Sequence, residues 1–232
     1  MPHADDELIA CHNYILKHRK DCSLFFCGLT GSNNGAKNKS DRKNEFLNYC
    51  KRTNVNYYIS GDDVGHSFNE LLQSFKPDYV FVPSYFDWHS EHRFINSVIT
   101  KTLVKSHLTS TSVVWYRISV PLPPELINYS IVMSRKEHLN KWKTFREIYK
   151  TQRHLDVARF KFIERFNIDL KYASEVFFVA NINKCKGMIS VLDNNLEELD
   201  ALKNYLDDGG LLFLKMIDVY NRFKGEFKNE TL

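Results

Sequence analysis

The segment DYVFVPSYFDWHSEHRFINSVITKTLVKS (residues 78–106) contains one complete unit of structure. DYVFVP (78–83) is a short apolar run that ends at a proline, the pattern of a strand covered on both faces. SEHRFINSVITKTLVKS (90–106) reads as a helix. Between them lies DWHSEHR (87–93), which holds Asp87, His89, Glu91, His92 and Arg93. Strand, polar cluster and helix follow one another as in a βαβ unit.

The same alternation extends through the first half of the chain. CSLFFCGLT (22–30), VNYYIS (55–60) and TSVVWYRIS (111–119) read as strands, and HSFNELLQSFK (66–76) as a helix. GSNNGAKNKSD (31–41) is a loop rich in Gly and Asn, and Asp41 is placed to cap a helix over 42–53. Residues 5–19 set Leu8, Ile9, Cys11, His12, Ile15 and Leu16 largely on one helical face. Asp5, Asp6 and Glu7 fall in its first turn, where the helix dipole favours negative charge. This alternation predicts an α/β fold, a Rossmann-like, mostly parallel sheet with flanking helices. One strand is missing from the pattern. The helix at 5–19 should be fed by a strand ending near His3, where only Met1 and Pro2 stand. The expectation is a natural start roughly ten residues earlier, the length of one ~5–6 residue strand with its lead-in.

After residue 120 the pattern changes. VPLPPELIN (120–128) is a Pro-rich turn region. SRKEHLNKWKTFREIYKTQRHL (134–155) reads as one long charged helix and YASEVFFVA (172–180) as a strand. Helices are expected over 194–206 and 211–223, separated by the breaker Asp207-Asp208-Gly209-Gly210. The predicted organisation is a domain over 1–180 and a helical extension over 181–232 packed on it.

Composition narrows the function classes. The 232 residues are 43% hydrophobic and 26% charged, as in an ordinary globular protein. No apolar run approaches the ~18 residues of a membrane span. Residues 1–20 carry acids and bases throughout, unlike a signal peptide, which points to the cytoplasm. The five Cys are odd in number and lack C-x-x-C spacing, which fits reduced thiols rather than a disulfide frame or zinc finger. The net charge of +4 is scattered, which argues against a nucleic-acid partner.

Two clusters carry chemistry: His3-Ala4-Asp5-Asp6, and DWHSEHR at 87–93. In open α/β sheets ligands bind outside the carboxyl ends of the strands, so both clusters can meet at one end of the sheet. Catalytic zinc typically takes three ligands from His and carboxylate. His3 and Asp6 are three apart and can face one ion at a helix start, with His92 as the third ligand. Asp5 can then take a proton from water. His89 is left as an acid outside the ligand set, its ring oriented by Glu91 or Asp87.

PHADDE (2–7) and HSEHR (89–93) resemble the paired A-H-P-D-D-E and H-P-D-H signatures of the LmbE-like, or PIG-L-like, metal-dependent deacetylases. Ala4 replaces Pro and Glu91 replaces Asp, and both changes keep the reactive groups. The resemblance implies His3, Asp6 and His92 as zinc ligands, Asp5 as general base, and His89 as the group that steadies the tetrahedral intermediate. Glu91 stands in the motif's acidic position. DRKNEFLNYCKRTNV (41–55) resembles the family's R-x-x-E helix, making Arg42 a candidate substrate contact. REIYKTQ (146–152) resembles its Y-x-S-Q segment and YASEVF (172–177) its Y-A-E-x-F strand. The implied activity is zinc-dependent hydrolysis of an N-acetyl group on a glucosamine-type sugar or glycoconjugate, with other divalent metals suited to the same ligands. The rival expectation is a non-catalytic sugar-binding or scaffold protein that keeps the motifs.

Overall fold

The computed structural model describes residues 1–29, 39–87, 89–108, 110–166 and 172–194. Most of the loop expected at 31–41, Trp88, and the two helices and turn expected beyond Asn194 lie outside the described residues. The chain forms two compact units. One comprises Met1–Phe68 and Tyr129–Val176, the other Asn69–Asn128 and the chain from Phe177.

In the first unit, α1 (Asp6–His18) is followed by β1 (Ser23–Phe26), α2 (Lys39–Thr53) and β2 (Asn56–Ile59). β1 and β2 pair in parallel, with Ser23 opposite Asn56 and Phe26 opposite Ile59. Leu24 and Phe26 are buried, and Phe26 stacks on Phe46 of α2 at 4.5 Å. β2 is exposed along its whole length, so its aromatic residues do not line a core. The chain start is anchored. The Met1 ammonium donates to Phe25 O, Cys27 N donates to Met1 O at 2.9 Å, and Leu29 N donates to Pro2 O at 3.0 Å. Met1 and Pro2 thus run beside the end of β1 and deliver His3 to the start of α1.

Further along come β5 (Tyr129–Met133), α5 (Arg135–Ile148) and α6 (Val157–Phe166). α5 opens with a capping box in which Glu137 N donates to Ser134 Oγ and Ser134 N donates to the Glu137 carboxylate. The long helix expected over 134–155 therefore ends early. α5 stops at Ile148, a 3-10 turn covers Lys150–Gln152, and α6 follows. The break has a cause in side-chain bonding, because Tyr149 OH donates to Glu7 and Thr151 donates to Glu45 at 2.8 and 2.7 Å. α2 begins at Lys39, which puts Asp41 inside the first turn rather than at the expected cap.

A buried ionic cluster ties α1 to α5. Lys141 is fully buried, with Nζ 2.7 Å from Glu164 Oε1, 2.9 Å from Glu175 Oε1 and 3.0 Å from Ile9 O. Glu175 also accepts from the backbone N–H groups of Asn13 and Tyr14, midway along α1. Glu164 accepts from Trp142 Nε1 at 2.8 Å and lies 2.8 Å from His138 Nε2.

His12 of α1 is buried against the Tyr49 hydroxyl at 3.0 Å, and burial, with Lys141 and Arg52 adding to it, pushes its ring down to about 3. The folded ring stays neutral while the unfolded one protonates below about 6.5. Stability is therefore complete above that value and falls as pH drops towards about 3. The loss between about pH 7 and pH 5 is expected to be roughly 2 kcal/mol. Denaturant unfolding at the two pH values should show that loss shrinking in His12→Gln.

The second unit holds β3 (Tyr79–Pro83), α4 (Ser90–Lys105), β4 (Ser112–Tyr116) and α7 (Ile182–Asp193). β6 (Ala173–Asn181) enters it at Phe177. β3 and β4 are parallel, from Tyr79 opposite Ser112 to Pro83 opposite Tyr116. β6 runs antiparallel to β4, with Phe177 opposite Tyr116. Trp115 is fully buried against Phe86 and Phe178. Asn96 of α4 donates to Pro83 O at 2.5 Å, which fixes the helix start over the end of β3. Helix α7 occupies part of the expected extension, capped by Asn181, whose Oδ1 accepts from Lys184 N at 2.8 Å. The architecture is α/β with two parallel strand pairs, as the alternation predicts, while the antiparallel pairing of β6 with β4 is not foreseen by it. No described helix is long and apolar enough to cross a membrane. All five cysteines are free, and four of them are buried.

Candidate functional site

The first cluster lies in the first unit and is built around the start of α1. His3, Asp5, Asp6 and Glu7 are all buried, which is unusual for three consecutive acids. His3 N donates to Asp6 Oδ2 at 2.9 Å, and the His3 ring Nδ1 lies 3.5 Å from the same oxygen. The spacing of three therefore does bring the two expected ligands side by side. Asp5 sits at the helix N-cap with φ 119° and ψ −25°, a left-handed conformation that is rare for a residue with a side chain. Its carbonyl accepts from Leu8 and Ile9 N–H, and its own N–H donates to Glu7 Oε2 at 3.2 Å.

Burial and then the neighbouring Asp6 charge hold the Asp5 carboxyl well above its ordinary range, while His3 and Arg42 oppose the shift. Arg42 of α2 is close enough for its charge to act on Asp5. Burial pushes Glu7 up to about 7 against the Tyr149 hydrogen bond. Glu45, one turn after Arg42, binds Thr151 through both oxygens. The two weaker sequence segments, 41–55 and 146–152, therefore meet beside the cluster.

The second cluster lies in the second unit, at the start of α4. His89 is the N-cap, and its Nδ1 accepts from Glu91 N at 3.3 Å. In a neutral ring that bond leaves the proton on Nε2. The Glu91 carboxylate is 4.0 Å from the same Nδ1. His92 is buried, and its ring stands 4.8 Å from that of His89, centroid to centroid. Asp87 is buried, with one oxygen accepting from His89 N and the other from Ser119 N, each at 2.9 Å. That second oxygen is 3.2 Å from His92 Nδ1. Burial by itself would raise the Asp87 carboxyl, but the His92 charge and the N–H donors outweigh it and hold it below its usual value.

The spacing makes Asp87 or Glu91 the expected residue to orient the His89 ring. Instead Asp87 stands against the ring of His92 and accepts from the backbone N–H of His89. A carboxylate against Nδ1 is the arrangement that leaves Nε2 of a histidine for a metal. Tyr85, which flanks the cluster, donates its hydroxyl to Asp193 of α7 and is a packing residue. The roles of Glu7 and Tyr149 were not legible, because nothing in either short segment announces its partner.

No family model matches the chain, and no curated protein matches it. Solved structures do. A triple mutant of a deacetylase involved in the teicoplanin biosynthetic pathway superposes with a TM-score of 0.56 at 15% identity, covering 78% of this chain and 95% of that one. The conserved protein TT1542 of Thermus thermophilus gives 0.58 at 15% identity, covering 76% and 90%. The fold is that of the LmbE/PIG-L-type deacetylases. Other chemistry also occurs among the similar structures. GalB, the 4-carboxy-2-hydroxymuconate hydratase of Pseudomonas putida, superposes with a TM-score of 0.52 at 10% identity, covering 77% and 93%. Fold alone therefore does not select the reaction, and the side chains must.

Proposed function

We propose that this protein hydrolyses an N-acetyl group on a glucosamine-type sugar or glycoconjugate, with one divalent metal, zinc in the first instance, held by His3, Asp6 and His92. The observation that carries the reading is Asp87 against Nδ1 of a buried His92, an arrangement that presents the other ring nitrogen as a ligand. The donor types fit, because histidine nitrogens and one carboxylate are the usual ligands of catalytic zinc. The deacetylases among the structural neighbours support the same reaction class.

When bound, the ion would supply Lewis acidity that polarises the amide carbonyl and acidifies water. The chain's own residues do the rest. Asp5 takes the proton of the attacking water. His89, with its proton on Nε2, donates to the oxygen that becomes negative as the carbonyl carbon turns tetrahedral. Glu91 fixes that ring through its backbone N–H. The C–N bond then breaks, the proton held by Asp5 passes to the leaving nitrogen, and acetate and a free amine result. Arg42 offers its charge to an oxygen of the substrate.

The test is amine release from a panel of free, nucleotide-linked and lipid-linked N-acetylated sugars by the zinc-loaded protein. Release from at least one, abolished by a chelator and restored by zinc, is expected. Tight sugar binding without release would instead favour the non-catalytic reading.

A further inference from the structure

The left-handed backbone of Asp5 needs an explanation, because a residue with a Cβ adopts φ 119° only where its surroundings enforce it. Two sets of bonds do so. On one side the Asp5 carbonyl accepts from Leu8 and Ile9 N–H, which starts the helix. On the other side the Asp5 N–H donates to Glu7 Oε2 at 3.2 Å. Glu7 is fully buried, and its other oxygen, Oε1, accepts from the hydroxyl of Tyr149. Tyr149 is fully buried as well, at the point where α5 breaks. Its ring contacts Phe145 at 5.4 Å and Tyr49 at 6.3 Å, and Tyr49 in turn bonds His12 of α1. The Tyr149 hydroxyl is therefore held still by a packed aromatic wall.

We infer that Glu7 and Tyr149 are positioning residues for Asp5: the Tyr149 hydroxyl fixes the Glu7 carboxylate, the carboxylate holds the Asp5 N–H, and the Asp5 side chain is thereby aimed for proton transfer. This rests on the reading of Asp5 as the base. Neither residue touches the reacting atoms. A carboxylate two residues from the base, buried and bonded to an immobile hydroxyl, acts on the geometry of Asp5 rather than on the proton itself. Misplacing a catalytic group by ~1 Å can cost ~10²-fold in rate.

Tyr149→Phe and Glu7→Gln in the full zinc-loaded chain test this by three readouts: amide hydrogen exchange at Asp5, zinc per chain, and the split between kcat and KM on the N-acetylated sugar that gives turnover. In Tyr149→Phe, Asp5 exchange should rise about tenfold or more while that of the β6 amides does not change, and kcat should fall about 10- to 100-fold with KM within about twofold. Zinc should remain at one per chain. Glu7→Gln keeps one acceptor oxygen and should fall between wild type and Tyr149→Phe, and it carries the test should Tyr149→Phe not fold. Unchanged Asp5 exchange in both variants overturns the inference. So does a general rise in exchange with kcat falling only in step with the folded fraction, since that marks plain structural support. A wild-type protein with no amidase activity sinks the deacetylase reading, while the exchange comparison still decides whether the pair fixes Asp5.

Discussion

Asp5→Ala should lower turnover by roughly 10²–10⁴-fold, the usual contribution of a positioned acid–base group, while the protein keeps its zinc. The expectation follows from what surrounds the carboxylate. His3 and Asp6 lean on one another, whereas Asp5 stands at the left-handed cap with its proton affinity raised by burial and by Asp6. Metal analysis on the same preparation used for kinetics separates the two roles. Zinc lost together with activity would make Asp5 a ligand, and the assignment of Asp6 would then have to change.

Lys141→Met should destabilise the fold by about 3–5 kcal/mol, because it leaves two buried carboxylates without their cation. Glu164 and Glu175 are each fully buried and each lies within 3 Å of the lysine nitrogen. Ile9 O of α1 loses a donor as well. The effect is expected in the denaturant midpoint. Neutralising the partners in Lys141→Met/Glu164→Gln/Glu175→Gln should recover part of it, since uncharged amides are less costly to bury than lone carboxylates. An unchanged midpoint in the single variant would mean that water or a rearranged His138 replaces the cation, and that the cluster does not bind α1 to α5.

The two clusters and the strand–helix alternation around them were legible because their signals are local. A histidine and an aspartate three apart at a helix start face each other whatever else the chain does. What stayed hidden depends on distant partners. The break at Tyr149 is set by Glu7, 142 positions away, and no propensity within 134–155 reveals it. Proximity in sequence pairs Asp87 with the nearer histidine ring, yet the turn before α4 gives its side chain to His92. β5, with Ile131 and Met133 buried, carries the period-two pattern of a strand but is only five residues long and follows a Pro-rich turn that obscures its start. The left-handed backbone at Asp5 has no sequence signature, because it is enforced by Glu7 and by the first turn of α1.

The most direct measurement is zinc stoichiometry and affinity in the wild-type chain and in Asp6→Ala and His92→Ala, with folding checked by circular dichroism. One tightly held zinc per chain, lost in each single variant while both remain folded, is the predicted result. A His92→Ala protein that still binds its zinc as tightly as wild type would contradict the account, because the two clusters would then not share an ion.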